Sequence, residues 1–441
     1  MINFLKPKQK KQLPKDKVES VYKKYKWLSF IGVFVGYAAF YIVRNNFSLS
    51  TPNLQKDLHI TKAQIGFLSS CLLISYGISK GFMSNLSDKA DPKRFMSLGL
   101  FLCACISLLL AFLGVNYWLI VILIVLLGIF QGMGVGPAFI TISSWFPKKS
   151  RGFITAIWNS SHNVGGGIVS PLVAFMLAIV GTQNWRIAYF AFPGIIAIVV
   201  SIILLFLIKG KPENEGLPPI NVKETKINHQ DMSSWEIMKK YVLTNKGAWY
   251  ISFVDTFVYM IRFGLITWLP IFLEETKGFT ESQMMIAFLV FEWAAIPSTL
   301  FAGFLSDKLF KGYRMPPAII SLILISFCLV GYWNGTSVQV VTIFAATAGC
   351  LIYVPQFLAS VQTMEVVPSF AVGSAVGLRG FMSYVLGSTL GTSLLGAAVD
   401  HWGWNAGLFL LLIAIVACII FCILSHLFVK NRMMEVKNDE K

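Results

Sequence analysis

Charge is scarce in this chain of 441 residues, and acidic charge is the scarcer kind. Charged residues make up 13% of the sequence, with 21 Asp and Glu against 37 Lys and Arg. Hydrophobic residues make up 56%, and the mean hydropathy is +0.67. A water-soluble domain of this length needs a more polar surface. The composition therefore excludes a soluble globular protein and indicates a polytopic α-helical membrane protein.

Several motifs of enzymes and pumps are also missing. No Gly-x-x-x-x-Gly-Lys-Ser/Thr sequence is present, which argues against an ATP-driven pump. The seven cysteines all lie inside apolar runs and show no metal-ligand spacing, which is typical of small buried side chains. We therefore expect no catalytic residue, no metal site and no cofactor. The first apolar run is too long for a signal-peptide core, so we also expect no cleaved leader.

Apolar runs long enough to cross about 30 Å of hydrocarbon occur twelve times in the chain. The sequence therefore predicts an all-α membrane fold with twelve transmembrane helices, surrounded by the lipid bilayer. The predicted cores are residues 27–49, 64–86, 95–114, 118–144, 152–180, 187–208, 247–273, 282–305, 315–333, 338–360, 370–396 and 403–429.

The basic residues are grouped in short segments between the apolar runs, where they set membrane topology. One side of the membrane receives 29 Lys and Arg and the other side four, with a further four inside the spans. We therefore predict that both termini are cytoplasmic and that the net charge of +16 does not reflect binding of nucleic acid. The predicted segments are a basic N-terminus (1–26), a six-helix bundle (27–208), a central cytoplasmic loop (209–246), a second six-helix bundle (247–429) and a C-terminal tail (430–441).

Two markers recur at nearly one interval along the chain. A Tyr-x-x-Arg sequence ends at Arg44 in span 1 and again at Arg262 in span 7, 218 residues later. Ser-Asp-Lys follows span 2 at residues 87–89 and span 8 at residues 306–308, an interval of 219. Two independent markers at nearly the same interval indicate an internal duplication, so we predict two six-helix repeats.

The polar side chains of span 1 fall on one helical face. Tyr37, Tyr41 and Arg44 stand at i, i+4 and i+7, so an α-helix aligns them. An arginine inside a bilayer helix costs roughly 3 kcal/mol, which makes it a candidate functional residue. In span 7 the same spacing places Asp255 and Tyr259 ahead of Arg262. We therefore predict that both faces point into the protein and away from lipid.

Three further basic side chains lie inside spans: Lys80, His162 and Arg379. His162 and Arg379 are 217 residues apart, so the duplication makes them equivalent positions. Asp255 and Glu292 are the acids available as partners, and two acids cannot neutralise all the buried cations. Because surplus positive charge favours an anionic ligand, and the arginine fork matches phosphate oxygens, the pattern predicts a phosphate-binding site.

The segments Gly36–Phe47, Gln131–Gly134 and Trp158–Gly167, together with the Tyr259–Arg262 segment, resemble the organophosphate:phosphate antiporters of the major facilitator superfamily. The resemblance covers the whole chain. It implies two six-helix halves, with a substrate site between them, that exchange cytoplasmic phosphate for an external phosphate ester. It also implies that Arg44 and Arg262 grip the phosphoryl group and that His162 joins them on closure.

Within that family, residues 352–384 are similar to the phosphoglycerate carriers. We expect Arg379 to meet the carboxylate of a phosphoglycerate or of phosphoenolpyruvate, and Lys80 to add a further positive charge. We expect several tyrosines and one asparagine either to supply hydrogen bonds to the substrate or simply to pack. These remaining candidate site residues are Tyr37, Tyr41, Tyr76, Asn159, Tyr259, Tyr353 and Tyr384.

Alternatives to this function remain open at the level of sequence. Carriers of glycerol 3-phosphate or hexose 6-phosphate belong to the same family, although Val376 stands where the hexose-phosphate carriers have aspartate. Membrane sensors of phosphorylated sugars are a further alternative. A proton-coupled symporter is disfavoured because an acid paired with arginine titrates too low. We expect a monomer in the bacterial inner membrane.

Overall fold

The computed structural model describes residues 3–7, 9–87, 90–218, 234–368 and 371–439, and all regular structure in these ranges is helical. The α-helices, in order, are α1 (Lys15–Leu49), α2 (Thr51–Leu58), α3 (Lys62–Ser87), α4 (Pro92–Leu113), α5 (Tyr117–Gln131), α6 (Val135–Trp145), α7 (Lys148–Val180), α8 (Phe192–Leu207), α9 (Ser234–Ile237), α10 (Lys246–Lys277), α11 (Glu281–Ala294), α12 (Ile296–Lys308), α13 (Met315–Asn334), α14 (Val338–Val366), α15 (Val372–Phe381), α16 (Leu395–Trp402) and α17 (Trp404–Asp439).

The structure also contains short turns of 3₁₀-helix and of π-helix. The 3₁₀ turns are Asn3–Leu5, Thr182–Asn184 and Pro212–Glu215. The π-helical turns are Ile187–Ala191, Met238–Leu243, Met382–Gly387 and Leu390–Leu394.

Twelve helical stretches are long and apolar enough to cross a membrane, which confirms the predicted all-α fold. Numbered as spans 1 to 12, they are Asp16–Leu49, Lys62–Ser84, Pro92–Leu113, Tyr117–Trp145, Phe153–Val180, Ile187–Leu207, Lys246–Lys277, Glu281–Lys308, Met315–Asn334, Val338–Val366, Val372–Trp402 and Trp404–Asn431.

Side chains at the helix starts satisfy the first backbone N–H groups of several spans. Asn116 accepts from the first turn of α5, and Asn245 does the same for α10. Thr280 and Gln283 form a reciprocal capping box at the start of α11. These caps fix where the spans begin.

Spans 4 and 8 are interrupted, and span 11 departs from regular α-helix without a break. The break in span 4 falls at residues 132–134, between α5 and α6, in the Gln-Gly-Met-Gly motif. Span 8 breaks ahead of Pro297, a residue that cannot donate a backbone hydrogen bond. Span 11 contains both π-helical turns of residues 382–394. Such turns place side chains differently from a regular α-helix and are frequent at functional sites.

The chain forms two compact units. The first comprises residues 1–53 and 75–226, and the second comprises residues 54–74 and 227–441. In the first unit, α1 packs closely along α7, and α4 packs along α8. In the second, α10 lies beside α17 and α14, and α13 packs along α14. Span 7 is the most enclosed of the spans, since 94% of an 18-residue apolar stretch within it is buried.

Parts of three predicted cytoplasmic segments and one marker of the duplication lie outside the described residues. They are residues 1–2, 8, 88–89, 219–233 and 440–441; residues 369–370, which include the first residue of the predicted core 370–396, also lie outside the described residues. The corresponding marker of the second repeat is described. There Arg314 forms ion pairs with Asp307 and with Glu365, the latter at 2.9 Å.

Candidate functional site

The first cluster surrounds Arg44 in the first unit. Arg44 is only 4% exposed, and its Nη1 donates to the hydroxyl of Tyr41 at 3.4 Å. Its guanidinium carbon lies 4.4 Å from the ring centre of Tyr76 and 5.1 Å from that of Tyr41. The Tyr37 and Tyr76 hydroxyls are 3.4 Å apart. The two tyrosine rings therefore stabilise the buried cation within the apolar span.

Span 5 adds an aromatic wall and a histidine to this cluster. Trp158 lies 4.6 Å from Tyr37 between ring centres, and His162 lies 5.2 Å from Tyr41. His162 Nδ1 contacts the main-chain oxygen of Asn159. When that nitrogen is protonated and donates to the carbonyl, the neutral ring leaves Nε2 as an acceptor, whereas the charged ring offers a second donor.

The helix approach that creates this wall depends on Gly165. A Cβ at this position would overlap the main-chain carbonyl of Ala38, so only glycine allows α7 to cross α1 so closely. Gln131 secures the other side, because its Nε2 donates to the main-chain oxygen of Phe40 at 2.8 Å. Gln131 in the Gln-Gly-Met-Gly motif thus has a structural role beside Tyr41.

Two predicted residues of the first unit are less buried than Arg44. Lys80 lies one turn beyond Tyr76 on α3 and is half-buried. Asn159 is half-buried on α7, and its contact with His162 is made by its backbone. The proposed donor role of the Asn159 side chain therefore stays a prediction, as does a role for Lys80 in binding.

The second cluster surrounds Arg262, which is 3% exposed. Its Nη2 donates to the Tyr353 hydroxyl at 2.6 Å, and the Tyr353 ring centre lies 4.6 Å from the guanidinium carbon. Its Nη1 points to Gln356 Oε1 at 3.4 Å. Tyr259 and Tyr384 pack edge to face with ring centres 5.0 Å apart. The arginine–tyrosine arrangement around Arg44 is therefore repeated in the second unit.

Arg379 occupies a separate position with an acid beside it. Its Nη1 donates to Ser360 Oγ at 2.5 Å and lies 3.6 Å from Asp255 Oδ2. The hydroxyl of Ser383 donates to the same carboxylate oxygen at 2.6 Å. Asp255 is thus the acid that pairs with Arg379, and this intramembrane cation already has a partner of opposite charge.

The two arginines of the second unit contact successive turns of one helix. Arg262 contacts Gln356, Arg379 contacts Ser360, and Ser360 Oγ donates to the main-chain oxygen of Gln356 at 3.0 Å. Four residues of α-helix rise about 6 Å. The unit therefore presents two guanidinium groups along α14, one within a tyrosine-lined cluster and one beside a carboxylate.

Sequence reasoning missed three residues of this unit: Gln356, Ser360 and Ser383. None of them carries a charge, so none stands out in an apolar run. A signal is nevertheless present, because Tyr353, Gln356 and Ser360 are spaced i, i+3 and i+7 and share one face of span 10. The other acid of this unit that the sequence singled out, Glu292, is fully buried in span 8.

A model of the Major Facilitator Superfamily matches residues 33–392. The chain belongs to this superfamily. A relative named phosphoglycerate transporter protein, from Salmonella typhimurium, is 57% identical over 426 residues, covering 94% of this chain and 92% of the relative. The hexose-6-phosphate:phosphate antiporter of Escherichia coli is 30% identical over 409 residues, covering 89% and 88%. These relatives confirm the resemblance to the organophosphate:phosphate antiporter family.

A solved structure agrees with the fold. A bacterial homologue of the human lysosomal transporter Spinster, in an inward-facing and unoccupied conformation, matches with a TM-score of 0.74 at 17% identity, covering 92% of this chain and 96% of the other. The twelve-helix fold of the superfamily is thereby confirmed. The named relatives are transporters, so the chain is a multi-pass membrane transporter rather than an enzyme.

Proposed function

We propose that this transporter exchanges an external phosphorylated three-carbon acid, such as a phosphoglycerate or phosphoenolpyruvate, for internal inorganic phosphate. The observation that carries the proposal is that Arg262 of α10 and Arg379 of α15 contact successive turns of α14, at Gln356 and at Ser360. The rise of about 6 Å between those turns is one that a three-carbon chain can bridge between its phosphate and its carboxylate. The 57% identical relative carries the name of a phosphoglycerate transporter, which supports the same class of substrate.

Each group has a defined part in this proposal. Arg44 and Arg262, in equivalent clusters of the two repeats, both bind the phosphoryl group through charge-assisted hydrogen bonds. His162 and the surrounding tyrosines contribute hydrogen bonds, and Arg379 binds the carboxylate. No cofactor takes part, and flux in each direction follows the gradients of the two exchanged anions.

In this proposal the substrate crosses the bacterial inner membrane by alternating access, in which the binding site opens to one side of the membrane at a time. The excess of Lys and Arg in the segments that share a side with both termini supports cytoplasmic termini. A monomer is sufficient for this scheme, because both arginine clusters belong to one chain.

Counterflow in reconstituted vesicles tests the proposal. Proteoliposomes are loaded with phosphate and exposed to radiolabelled 3-phosphoglycerate, phosphoenolpyruvate, glycerol 3-phosphate or glucose 6-phosphate. We expect the two carboxylate-bearing esters to enter fastest, and only when internal phosphate is present. Equal or faster entry of glycerol 3-phosphate or glucose 6-phosphate would assign the protein to one of those carrier classes. Binding of the esters without entry would indicate a sensor.

A further inference from the structure

The Asp255–Arg379 pair poses a problem for a carrier of two different anions. A three-carbon phosphorylated acid brings a carboxylate to Arg379, whereas inorganic phosphate brings none. An arginine left without a counter-charge in a desolvated site is strongly unfavourable. A site that carries both anions therefore needs a carboxylate of its own for the phosphate-loaded and the empty states. Asp255 lies where such a carboxylate is required.

We propose that Asp255 is a resident substitute for the substrate carboxylate, which holds Arg379 when phosphate or no ligand is bound and gives it up when a carboxylate-bearing ester binds. This inference rests on the proposed function and adds a specificity-determining residue to it. Asp255 thereby sets how strongly the carrier distinguishes a phosphorylated acid from other phosphate esters.

The geometry of the pair indicates that a ligand carboxylate can displace Asp255 from Arg379. The separation of 3.6 Å between Arg379 Nη1 and Asp255 Oδ2 exceeds the 2.7–2.9 Å of a tight charge-assisted hydrogen bond. The nitrogen in this contact, Nη1, is the one that also donates to Ser360 Oγ at 2.5 Å. Arg379 Nε is buried, and no described group accepts a hydrogen bond from it. Part of the fork is therefore uncommitted and able to receive a second carboxylate.

The two side chains of the pair differ in their exposure. The side chain of Arg379 is 14% exposed, whereas that of Asp255 is 3% exposed. The guanidinium is therefore the more accessible member of the pair to an incoming carboxylate. Asp255 also keeps a second donor, because the Ser383 hydroxyl binds its Oδ2 at 2.6 Å. The same hydroxyl lies 2.7 Å from the main-chain oxygen of Arg379, and it can give its one proton to Asp255 when the guanidinium turns toward substrate.

Asp255→Asn tests the proposal, because it removes the competing charge and keeps the size of the side chain. The assay is inhibition of phosphate self-exchange in proteoliposomes by 3-phosphoglycerate and by glycerol 3-phosphate, two three-carbon esters that differ in the carboxylate. We expect the ratio of the two half-inhibition concentrations to shift in favour of 3-phosphoglycerate by at least about tenfold. Asp255→Glu, which keeps the charge, should retain a ratio close to that of the unaltered protein.

Glu292→Gln is the matched control, because Glu292 is another fully buried acid of the same unit that has no assigned part in binding. It should leave the ratio unchanged, whatever its effect on the rate. If Asp255→Asn lowers the rate but leaves the ratio unchanged, Asp255 is only structural and the proposal is overturned. Exchange by the unaltered protein tests the proposed function separately. If that protein does not exchange phosphate for 3-phosphoglycerate, the proposed function itself fails.

A second comparison covers the case in which Asp255→Asn fails to insert. Arg379→Gln alone leaves Asp255 to repel the substrate carboxylate, whereas the double variant Asp255→Asn, Arg379→Gln leaves no charge at the site. The proposal requires the double variant to discriminate less against 3-phosphoglycerate, relative to glycerol 3-phosphate, than Arg379→Gln does. Equal discrimination by the two variants overturns it.

Discussion

Replacing Arg44 and Arg262 together by lysine is the most direct test of the phosphate site. Lysine keeps the positive charge but replaces a planar fork of five N–H donors with one compact ammonium group. At Arg262 the fork donates to the Tyr353 hydroxyl at 2.6 Å, and the guanidinium carbon lies 4.6 Å from the centre of the Tyr353 ring. A lysine cannot hold both contacts and also bind two phosphate oxygens side by side.

The size of the loss follows from the bonds that disappear. A hydrogen bond to a charged group contributes about 1.5–3 kcal/mol, and each substitution removes at least one such bond to the phosphoryl group. The double variant therefore loses roughly 3–6 kcal/mol, which corresponds to a decrease of about 10²- to 10⁴-fold in kcat/KM, at 1.4 kcal/mol per factor of ten.

Phosphate self-exchange in proteoliposomes measures this loss, with insertion verified by size-exclusion chromatography of the purified variant. Arg186→Lys is the matched control. Arg186 lies outside both clusters, where its Nη1 donates to the main-chain oxygen of Gly114, and we expect the variant to exchange at nearly the normal rate. Near-normal exchange by the correctly folded double variant would refute the assignment of the two arginines to the phosphoryl group.

Three further predictions concern other parts of the molecule. Arg379→Thr should weaken uptake of phosphoglycerate much more than phosphate self-exchange in the same vesicles, and an equal decrease would make Arg379 structural. Gly165→Ala should reduce folded yield, at a cost of about 1–3 kcal/mol, because its Cβ meets the Ala38 carbonyl, whereas Gly373→Ala adds a Cβ in open space. Burial raises the pKa of Glu215, but hydrogen bonds from Lys10 and Gly210 outweigh it and leave the pKa below its ordinary value. The stability that these two hydrogen bonds contribute is therefore fully present above the ordinary pKa of a glutamate. It is lost as the pH falls through the pKa of Glu215 in the folded state. Hydrogen exchange of residues 9–13 should accelerate in Glu215→Gln at neutral pH but not in Glu213→Gln.

The arginine–tyrosine clusters were predictable from the sequence because their key spacing is local. Tyr37, Tyr41 and Arg44 share a face in any α-helix, and the duplication directs attention to Arg262. The twelve spans were predictable for the same reason, since bilayer thickness sets the length of an apolar run. The interruption of span 4 was not predicted, because its apolar composition continues through residues 132–134.

The pairing of Arg379 with Asp255 could not be chosen from the sequence. Two acids, Asp255 and Glu292, were available, and nothing in their local sequence decides between them. The choice depends on how residues 382–394 pack against α10. A Cβ at Gly391 would overlap the main-chain carbonyl of Met260, so the two helices come close enough for Ser383 to reach Asp255. Such an approach depends on long-range packing, which helical periodicity does not reveal.

The two buried arginines lead to a prediction about why transport of one anion is coupled to transport of the other. Arg44 and Arg262 are both largely withdrawn from solvent, and in the proposed function both bind one phosphoryl group. If closure brings two unliganded guanidinium groups to about 6 Å at an effective dielectric constant of about 20, they repel by roughly 3 kcal/mol. A bound phosphate dianion removes that repulsion. The loaded carrier should therefore reorient readily and the empty carrier slowly.

The rates of exchange and of net efflux report on the loaded carrier and the empty carrier separately. Proteoliposomes loaded with radiolabelled phosphate should lose label rapidly into a phosphate-containing buffer and slowly into a phosphate-free buffer of equal ionic strength. A sodium gradient should not accelerate exchange, because the asymmetry arises from the arginines and requires no coupling ion. Replacing one arginine by glutamine should narrow the gap between the two rates, since a single cation has no like charge to repel. Net efflux as fast as exchange in the unaltered protein would show that the empty carrier crosses freely, and charge repulsion would then not be the source of coupling.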